Sequence, residues 1–206
     1  MCPATVTSVY APSPAGTFVF VPAPLFVTFA AGLSGAWQID RVAAVTGDGL
    51  LVAPRLDVRE GPHADDPNDA DLWRLRGTTS NLRYTTAAEN IRLSTMQAAL
   101  GRRTATRAAL IPIRKTGAWW ELPQDERRAI FEDRSHHIAV GLRALPAVAR
   151  RLHHSRDLGE EFDFLTWFEY APDDAYAFEE LVARLRQTEE WRYVDREVDI
   201  RLRREQ

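Results

Sequence analysis

The second half of the chain alternates strand and helix patterns in a fixed order, and this order constrains the fold more than any other feature. Strand patterns place apolar residues at every second position or in short runs, whereas helix patterns repeat them every three to four residues. In chain order we predict a strand over 104–115, a helix over 123–141, strands over 148–155 and 162–170, a helix opening at Pro172, and a strand over 193–202. This βαββαβ order is typical of a ferredoxin-like unit, in which two helices cover one sheet.

The first half of the chain resembles a shorter version of the same unit. Strands are predicted over 27–31, 37–45 and 71–79, and a helix over 85–100 ends before Gly101, a common stop signal. The residues that could form the buried side of this helix are Ala88, Ile91, Met96 and Leu100. Between strands, 60–71 is an acidic loop with two prolines, which predicts that His63 lies in solvent.

These patterns predict an α+β fold in which two ferredoxin-like repeats, the first one shortened, share an extended sheet or barrel. The repeats are expected to cover 25–103 and 104–206, after an extension of unknown role over 1–24. A chain of 206 residues is long enough to bury a substantial core.

Composition excludes several classes of protein. A formal net charge of −3 gives no general attraction to nucleic acid or to an anionic membrane. The single cysteine, Cys2, excludes an internal disulfide framework and a cysteine-rich metal site. We therefore expect an ordinary globular protein that binds neither nucleic acid nor membrane through its overall charge.

The first 39 residues contain no charged side chain. A secretory signal begins with a positively charged region, which is missing here, and Pro22 and Pro24 divide the apolar run over 18–33 into pieces too short to span a bilayer. The expected compartment is the cytoplasm.

A stretch over 124–150 contains the residues that most suggest chemistry. His137 lies seven positions after Ile130, so it can share the apolar face of the predicted helix. After Pro146 the pattern becomes that of a strand, in which Arg150 points the same way as Val148 and Leu152. Because an unpaired buried cation is costly, an inward arginine indicates either an ion pair or an anionic ligand.

Five segments of the chain, taken in order, resemble the chlorite dismutase family. They cover roughly 72–202 and read LWRLRGTTSNLRY, ALIPIRKTGAWWEL, RSHHIAVG followed by LPAVAR, EFDFLTWFEYAP, and EEWRYVDREVDIRL. The resemblance implies a dimeric α+β barrel that binds haem b and converts chlorite, a small anion, to chloride and dioxygen. The short chain is similar to the compact, homodimeric branch of the family. No CxxCH motif is present, which excludes covalent c-type haem attachment.

The resemblance also implies roles for the histidine pair and for an acid near the C-terminus. His137, rather than His136, is the implied axial ligand of the iron, because its spacing to Gly141 and Arg150 matches the family. Glu190 is the implied hydrogen-bond acceptor for the other ring nitrogen of His137. Helical periodicity alone does not choose between Glu190 and the adjacent Glu189.

On the opposite side of the haem, Arg150 is implied to act on the bound anion, and Gln97 to hold this arginine. The alternatives are a structural ion pair for Arg150 and an exposed helical position for Gln97. The aromatic residues implied to line the haem edge and its propionates are Tyr84, Trp119 and Trp120, although aromatic residues more often serve in ordinary core packing. His153 and His154 are expected to face solvent or the other side of the sheet.

Two other functions remain open from the sequence. Coproheme decarboxylases share the fold and the histidine but have a tyrosine in place of the arginine, so Arg150 argues against that activity. A non-enzymatic haem carrier would need His137 but would have no use for an inward arginine.

Overall fold

Eight antiparallel strands close into a barrel in this protein, whose computed structural model describes residues 24–66, 68–79 and 84–204. Around the barrel the strand order is β1-β3-β2-β8-β5-β7-β6-β4. The strands are β1 (Phe26–Gly32), β2 (Trp37–Thr46), β3 (Arg55–Glu60), β4 (Asp71–Thr78), β5 (Arg107–Lys115), β6 (Ala149–His154), β7 (Phe164–Tyr170) and β8 (Val194–Arg203).

The barrel has the same strand order in each half of the chain. Strands β4-β1-β3-β2 follow the order of a ferredoxin-like unit, and β8-β5-β7-β6 follow it again. Pairing of β2 with β8 and of β4 with β6 joins the halves into one closed sheet. The predicted α+β barrel is therefore confirmed, while the boundary between the repeats at 103–104 stays a prediction.

Strand β5 shows why the central strands read as continuous apolar runs. Ala108 and Leu110 point into the barrel, whereas Ala109, Ile111 and Ile113 point outward and are covered by helices. Since both faces of the strand are removed from water, both sets of positions are apolar.

Closure of the barrel depends on a close approach between β4 and β6. The two strands pair at Thr78 and His154. A Cβ atom on Gly77 would lie 2.7 Å from the Cβ of His153 and 3.0 Å from the hydroxyl of Ser155. Only glycine leaves room for the two strands to meet here.

Helices cover the outer face of the second half of the sheet. They are α1 (Ala87–Met96), α2 (Gly117–Glu121), α3 (Gln124–Arg128), α4 (His137–Ala144) and α5 (Ala175–Arg186), with a π-helical segment over Ala129–Arg134. Helix α5 buries Phe178, Leu181, Val182 and Leu185 against the sheet, as its apolar periodicity predicts. Among the described residues, no helix is long and apolar enough to cross a membrane.

The structure differs from the sequence-based expectations at three points: a missed strand, a divided helix, and the buried side of α1. Strand β3 was not predicted, because its six residues contain only two apolar positions between a proline and the acidic loop. The helix predicted over 123–141 is divided into α3, the π-helical segment and α4, and His136 at the break has a left-handed φ of 53°. The buried side assigned to α1 is also wrong: Leu93 is the buried residue within that helix, and Ile91 is 66% exposed.

The two histidines at the C-terminal end of β6 have different outcomes. His153 lies on the other side of the sheet, one of the two expected alternatives, and is fully buried inside the barrel, where its ring meets Phe29 at 5.2 Å. His154 is buried on the opposite face of the strand, at a cavity, so the expectation for this residue was wrong. Nδ1 of His153 lies 3.0 Å from the carbonyl oxygen of Leu165, and Nε2 lies 3.0 Å from Nε of Arg151. Because arginine only donates, Nε2 accepts and the ring is neutral, with its proton on Nδ1. The expectation for residues 1–24 lies outside the described residues, apart from Pro24.

Burial of His153 predicts a specific pH dependence of stability. Desolvation lowers the pKa of His153 to about 4 in the folded protein, from 6.5. Between these values the unfolded chain binds more protons, so stability falls as the pH drops from 6.5 to 4, by about 3 kcal/mol from this residue. In the His153→Phe variant the part of this pH dependence that comes from His153 should disappear. The measurement is the free energy of unfolding in urea at a series of pH values between 6.5 and 4. Equal slopes in the His153→Phe and parent proteins would contradict the assignment.

Candidate functional site

A cavity of about 1090 Å³, counted with its open mouth, lies between the outer face of β5, β6 and β7 and the helices α4 and α5. Its walls are mainly apolar and include Ile111, Ile113, Leu152, Phe164, Phe168, Leu181 and Val182. The polar and ionisable groups that reach it are His137, Glu190, Lys115, Arg150, His154 and Glu197.

His137 enters the cavity from the helical side. It is the first residue of α4, and its ring stacks on Phe131 with the centroids 4.3 Å apart. Nδ1 lies 2.7 Å from Oε2 of Glu190, which leaves Nε2 without a hydrogen bond among the described residues. His136 is exposed and does not line the cavity. Within the described residues, His137 therefore presents a free imidazole nitrogen at the cavity, and it is the histidine that the family resemblance implied.

Glu190 is held from both of its carboxylate oxygens. Oε1 accepts a hydrogen bond of 2.8 Å from Nζ of Lys115, and both side chains are almost completely buried, at 4% and 1% exposure. The backbone N–H of Glu190 donates to Oγ of Ser135 at 3.0 Å. Glu189, in contrast, lies near the surface and pairs with Arg134 at 3.3 Å. The tertiary structure thus separates the two adjacent acids, which periodicity could not do.

Electrostatics keep Glu190 ionised despite its burial. Desolvation alone would raise the pKa of this carboxyl, but its interactions and hydrogen bonds with His137 and Lys115 lower the pKa well below its usual value. Nζ of Lys115 also lies 4.6 Å from the centre of the Trp119 ring, a cation–π contact. Sequence reasoning missed Lys115, because a lysine at the end of a strand pattern normally lies in solvent.

Arg150 reaches the cavity from strand β6, on the side facing the helices. It lies on the same face of the strand as Leu152, as the alternation predicted. Its Nε is buried and unpaired, and nothing in the described part of the chain forms an ion pair or hydrogen bond with its guanidinium. Burial lowers the pKa of Arg150, but a guanidinium starts high enough to stay charged. The alternative of a structural ion pair is therefore not found here.

The structure does not bring Gln97 to this site. Gln97 follows the last turn of α1, where its side chain is exposed and its backbone N–H caps the helix through Leu93. It does not line the cavity, and no hydrogen bond joins it to Arg150 among the described residues. Gln97 therefore takes the other alternative, an exposed position at the end of α1, and its predicted support of the arginine is not seen in the structure.

The three predicted aromatic residues occupy different positions. Trp119 is buried and lines the cavity, and within the described residues its indole Nε1 has no hydrogen-bond partner. Tyr84 also lines the cavity, edge-to-face with Trp119 at 6.0 Å. Trp120 lies behind the cavity wall, stacked on Phe164 with its indole N–H donating to Asp163 at 3.3 Å.

Two further cavity residues were not anticipated. His154, expected outside, lies at the cavity wall on the same face of β6 as Arg150. Glu197 of β8 is fully buried there and accepts hydrogen bonds of 2.8 Å from Nε of Arg186 and from the indole of Trp191. Neither residue has a local sequence signal, since both stand in ordinary strand patterns.

The cavity is open beside His137, at Gly141. Gly141 lies one helical turn after His137 on the same face of α4 and lines the cavity. A Cβ atom built on Gly141 would meet no described atom within 4 Å, so the space next to the histidine is open. In the part of the chain that the structure describes, no three His, Cys, Asp or Glu side chains gather to hold a bare metal ion.

Fold and cavity together define an antiparallel α+β barrel protein with a mainly apolar cavity, whose wall holds a histidine with a free Nε2 and, within the described residues, an unpaired cation. Comparison with known proteins gives the family. The family described as chlorite dismutase matches residues 72–204, and the chain belongs to the chlorite dismutase family.

Individual relatives agree with this assignment. The dimeric chlorite dismutase of Nitrobacter winogradskyi is similar in structure, with a TM-score of 0.80, 59% identity, and coverage of 87% of this chain and 99% of that one. A mutant chlorite dismutase of Candidatus Nitrospira defluvii shares the fold at 17% identity, with a TM-score of 0.58 and coverage of 88% and 92%. The chlorite dismutase of Ideonella dechloratans is 34% identical over 86 residues, which is 42% of this chain and 28% of that protein.

Proposed function

We propose that this protein binds haem b and decomposes chlorite to chloride and dioxygen. The observation that carries the proposal is the combination, in one cavity, of a histidine with a free Nε2 and an arginine whose guanidinium has no partner among the described residues. The family and the 59% identical relative from Nitrobacter winogradskyi support the same activity. The chemistry that haem supplies when bound is oxygen-atom transfer from chlorite and formation of the O–O bond.

His137 would hold the haem iron through Nε2. A neutral imidazole binds iron with one ring nitrogen, and the other then donates to an acceptor that sets its orientation. Glu190 is in position to be that acceptor, and as an anion it gives the imidazole partial imidazolate character. Lys115 fixes the second carboxylate oxygen, so Glu190 cannot turn away from the histidine.

Arg150 would bind the anion. Its guanidinium is charged and unpaired, so chlorite provides the counter-charge that the described residues do not. After chlorite has given up one oxygen atom, the remaining hypochlorite is again a small anion. Arg150 would retain this fragment by charge and hydrogen bonding until the O–O bond forms.

Trp119 and Tyr84 would contact the edge of the haem. The buried indole Nε1 of Trp119 lacks an acceptor within the described residues, and a propionate oxygen would provide one. Trp120 has no corresponding part in the proposal, because its N–H is already bonded to Asp163.

We further propose that the protein is a homodimer, since the similar Nitrobacter winogradskyi protein is described as dimeric. A cytoplasmic location stays a prediction. The decisive experiment is direct: reconstitute the full chain with haem and add chlorite in an oxygen-electrode cell. Oxygen evolution proportional to chlorite supports the proposal, whereas haem binding without oxygen evolution would favour the coproheme decarboxylase or carrier alternatives.

Haem binding should depend on His137 and not on its neighbour. His137→Ala removes the free Nε2 and should purify with little haem or with an altered Soret band. His136→Ala changes an exposed residue outside the cavity and is the matched control, so its spectrum should be that of the parent. Equal haem loss in both variants would refute the assignment.

Glu190 should tune the iron. Glu190→Gln keeps the shape and one hydrogen-bond acceptor but removes the negative charge, so the ferric/ferrous midpoint potential should rise by tens of millivolts while haem is retained. Spectroelectrochemical titration measures this shift. Glu189→Gln should leave the potential unchanged, because Glu189 pairs with Arg134 at the surface; a larger shift from Glu189→Gln would show that the wrong acid was chosen.

Arg150 should control how long the enzyme survives turnover. Arg150→Ala should still evolve some oxygen but release hypochlorite and bleach its own haem, lowering total turnovers roughly ten- to hundredfold, the value of one charged hydrogen bond. Arg150→Lys keeps the charge but loses the planar guanidinium group, so its total turnovers should lie between those of the parent and those of Arg150→Ala. The measurements are oxygen yield per haem and trapping of free hypochlorite with a chlorination-sensitive dye. A yield and lifetime equal to the parent in Arg150→Ala would make the arginine a structural residue.

A further inference from the structure

The helical conformation is interrupted immediately before His137. The π-helical segment ends at Arg134, and His136 has a left-handed φ of 53°. Helix α4 therefore begins anew at His137 and has an N-terminus of its own, with backbone N–H groups that no preceding helical turn accepts. Such groups must be satisfied by a side chain, by water or by a ligand.

The side chain that satisfies them comes from the preceding π-helical segment. Glu132 accepts the N–H of Ile138 at 2.6 Å through Oε2 and the N–H of Ala139 at 3.3 Å through Oε1. These are the second and third residues of α4, the positions that a helix-capping residue normally serves. His136, which occupies the cap position, makes no capping hydrogen bond with its own side chain. A carboxylate at this end of a helix is also favoured by the helix dipole.

The same short segment supports the histidine in two other ways. Phe131, adjacent to Glu132, stacks on the imidazole of His137. Ser135 accepts the backbone N–H of Glu190 at 3.0 Å, so this turn also carries the carboxylate that bonds to His137. If the turn and the first turn of α4 separate, the histidine and its acceptor lose their common support.

We propose that Glu132 is a positioning residue for His137: its carboxylate clamps the first turn of α4 to the π-helical segment and so fixes the direction of the imidazole. This inference rests on the proposed role of His137 in holding haem, but it concerns contacts within the chain itself. Glu132 does not line the cavity, so it acts through His137 and not on substrate.

The test compares Glu132→Ala and Glu132→Gln with the control Asp133→Ala. Asp133 is the adjacent exposed acid, and within the described residues its side chain accepts no hydrogen bond, so the control removes a similar charge without removing the clamp. In the haem-free full chain, amide hydrogen exchange at Ile138 and Ala139 should be roughly three- to thirtyfold faster in Glu132→Ala, the cost of a lost helix cap. Glu132→Gln keeps one acceptor oxygen and should be intermediate.

The readout specific to positioning is the bond between His137 and Glu190. In the haem-free chain its low-field Nδ1 proton resonance, assigned by its loss in Glu190→Ala, should weaken or shift upfield in Glu132→Ala. In the haem-loaded protein the iron–histidine stretching frequency, measured by resonance Raman, should fall in the same variant. Both signals should be partly restored in Glu132→Gln and unchanged in Asp133→Ala.

The outcomes separate this inference from the proposed function. Faster exchange with unchanged His137 signals would show that Glu132 only caps a helix, and unchanged exchange would remove even that role; either result overturns the proposal. If Glu132→Ala does not fold, Glu132→Gln decides on the same measurements. If the parent takes up no haem, the proposed function fails, while the haem-free measurements still decide the part played by Glu132.

Discussion

The buried hydrogen-bond chain from Lys115 through Glu190 to His137 is the interaction on which the site depends. A buried carboxylate costs several kcal/mol unless it is paired on both sides, and here each oxygen has its own partner. The three residues come from β5, from the turn before β8, and from the start of α4. Because these three side chains must meet within hydrogen-bond distance, their hydrogen bonds fix where α4 can lie relative to the sheet. The cavity is the space that this placement leaves open.

The two sides of the cavity differ in how their charges are satisfied. On the helical side, Glu190 is neutralised within the protein, so the histidine is oriented before any ligand arrives. On the sheet side, the guanidinium of Arg150 has no partner in the described chain and is desolvated by its surroundings. The helical side of the cavity thus presents an oriented histidine, and the sheet side presents a buried cation that lacks an anionic partner among the described residues.

Much of the fold could be predicted, and the failures have common causes. The order of the last six elements follows from their apolar patterns, since strands covered on both faces and helices covered on one leave different periodicities. Strand β3 escaped because it is short and mostly polar, and the break at His136 escaped because the residues around it are compatible with a continuous helix. The exposed face of α1 was misjudged because apolar periodicity identifies a face without showing that anything covers it.

The sequence by itself determined the family, the face of its strand on which Arg150 lies, and His137 as the implied ligand. It could not determine Lys115, Glu197 or His154 as cavity residues, nor that Gln97 stands apart from the arginine. Those facts depend on contacts between residues that are far apart in the chain, such as the 75 positions between Lys115 and Glu190. Local patterns fix which way a side chain points from its own element. Only the closure of the barrel and the packing of helices on it decide what that side chain meets.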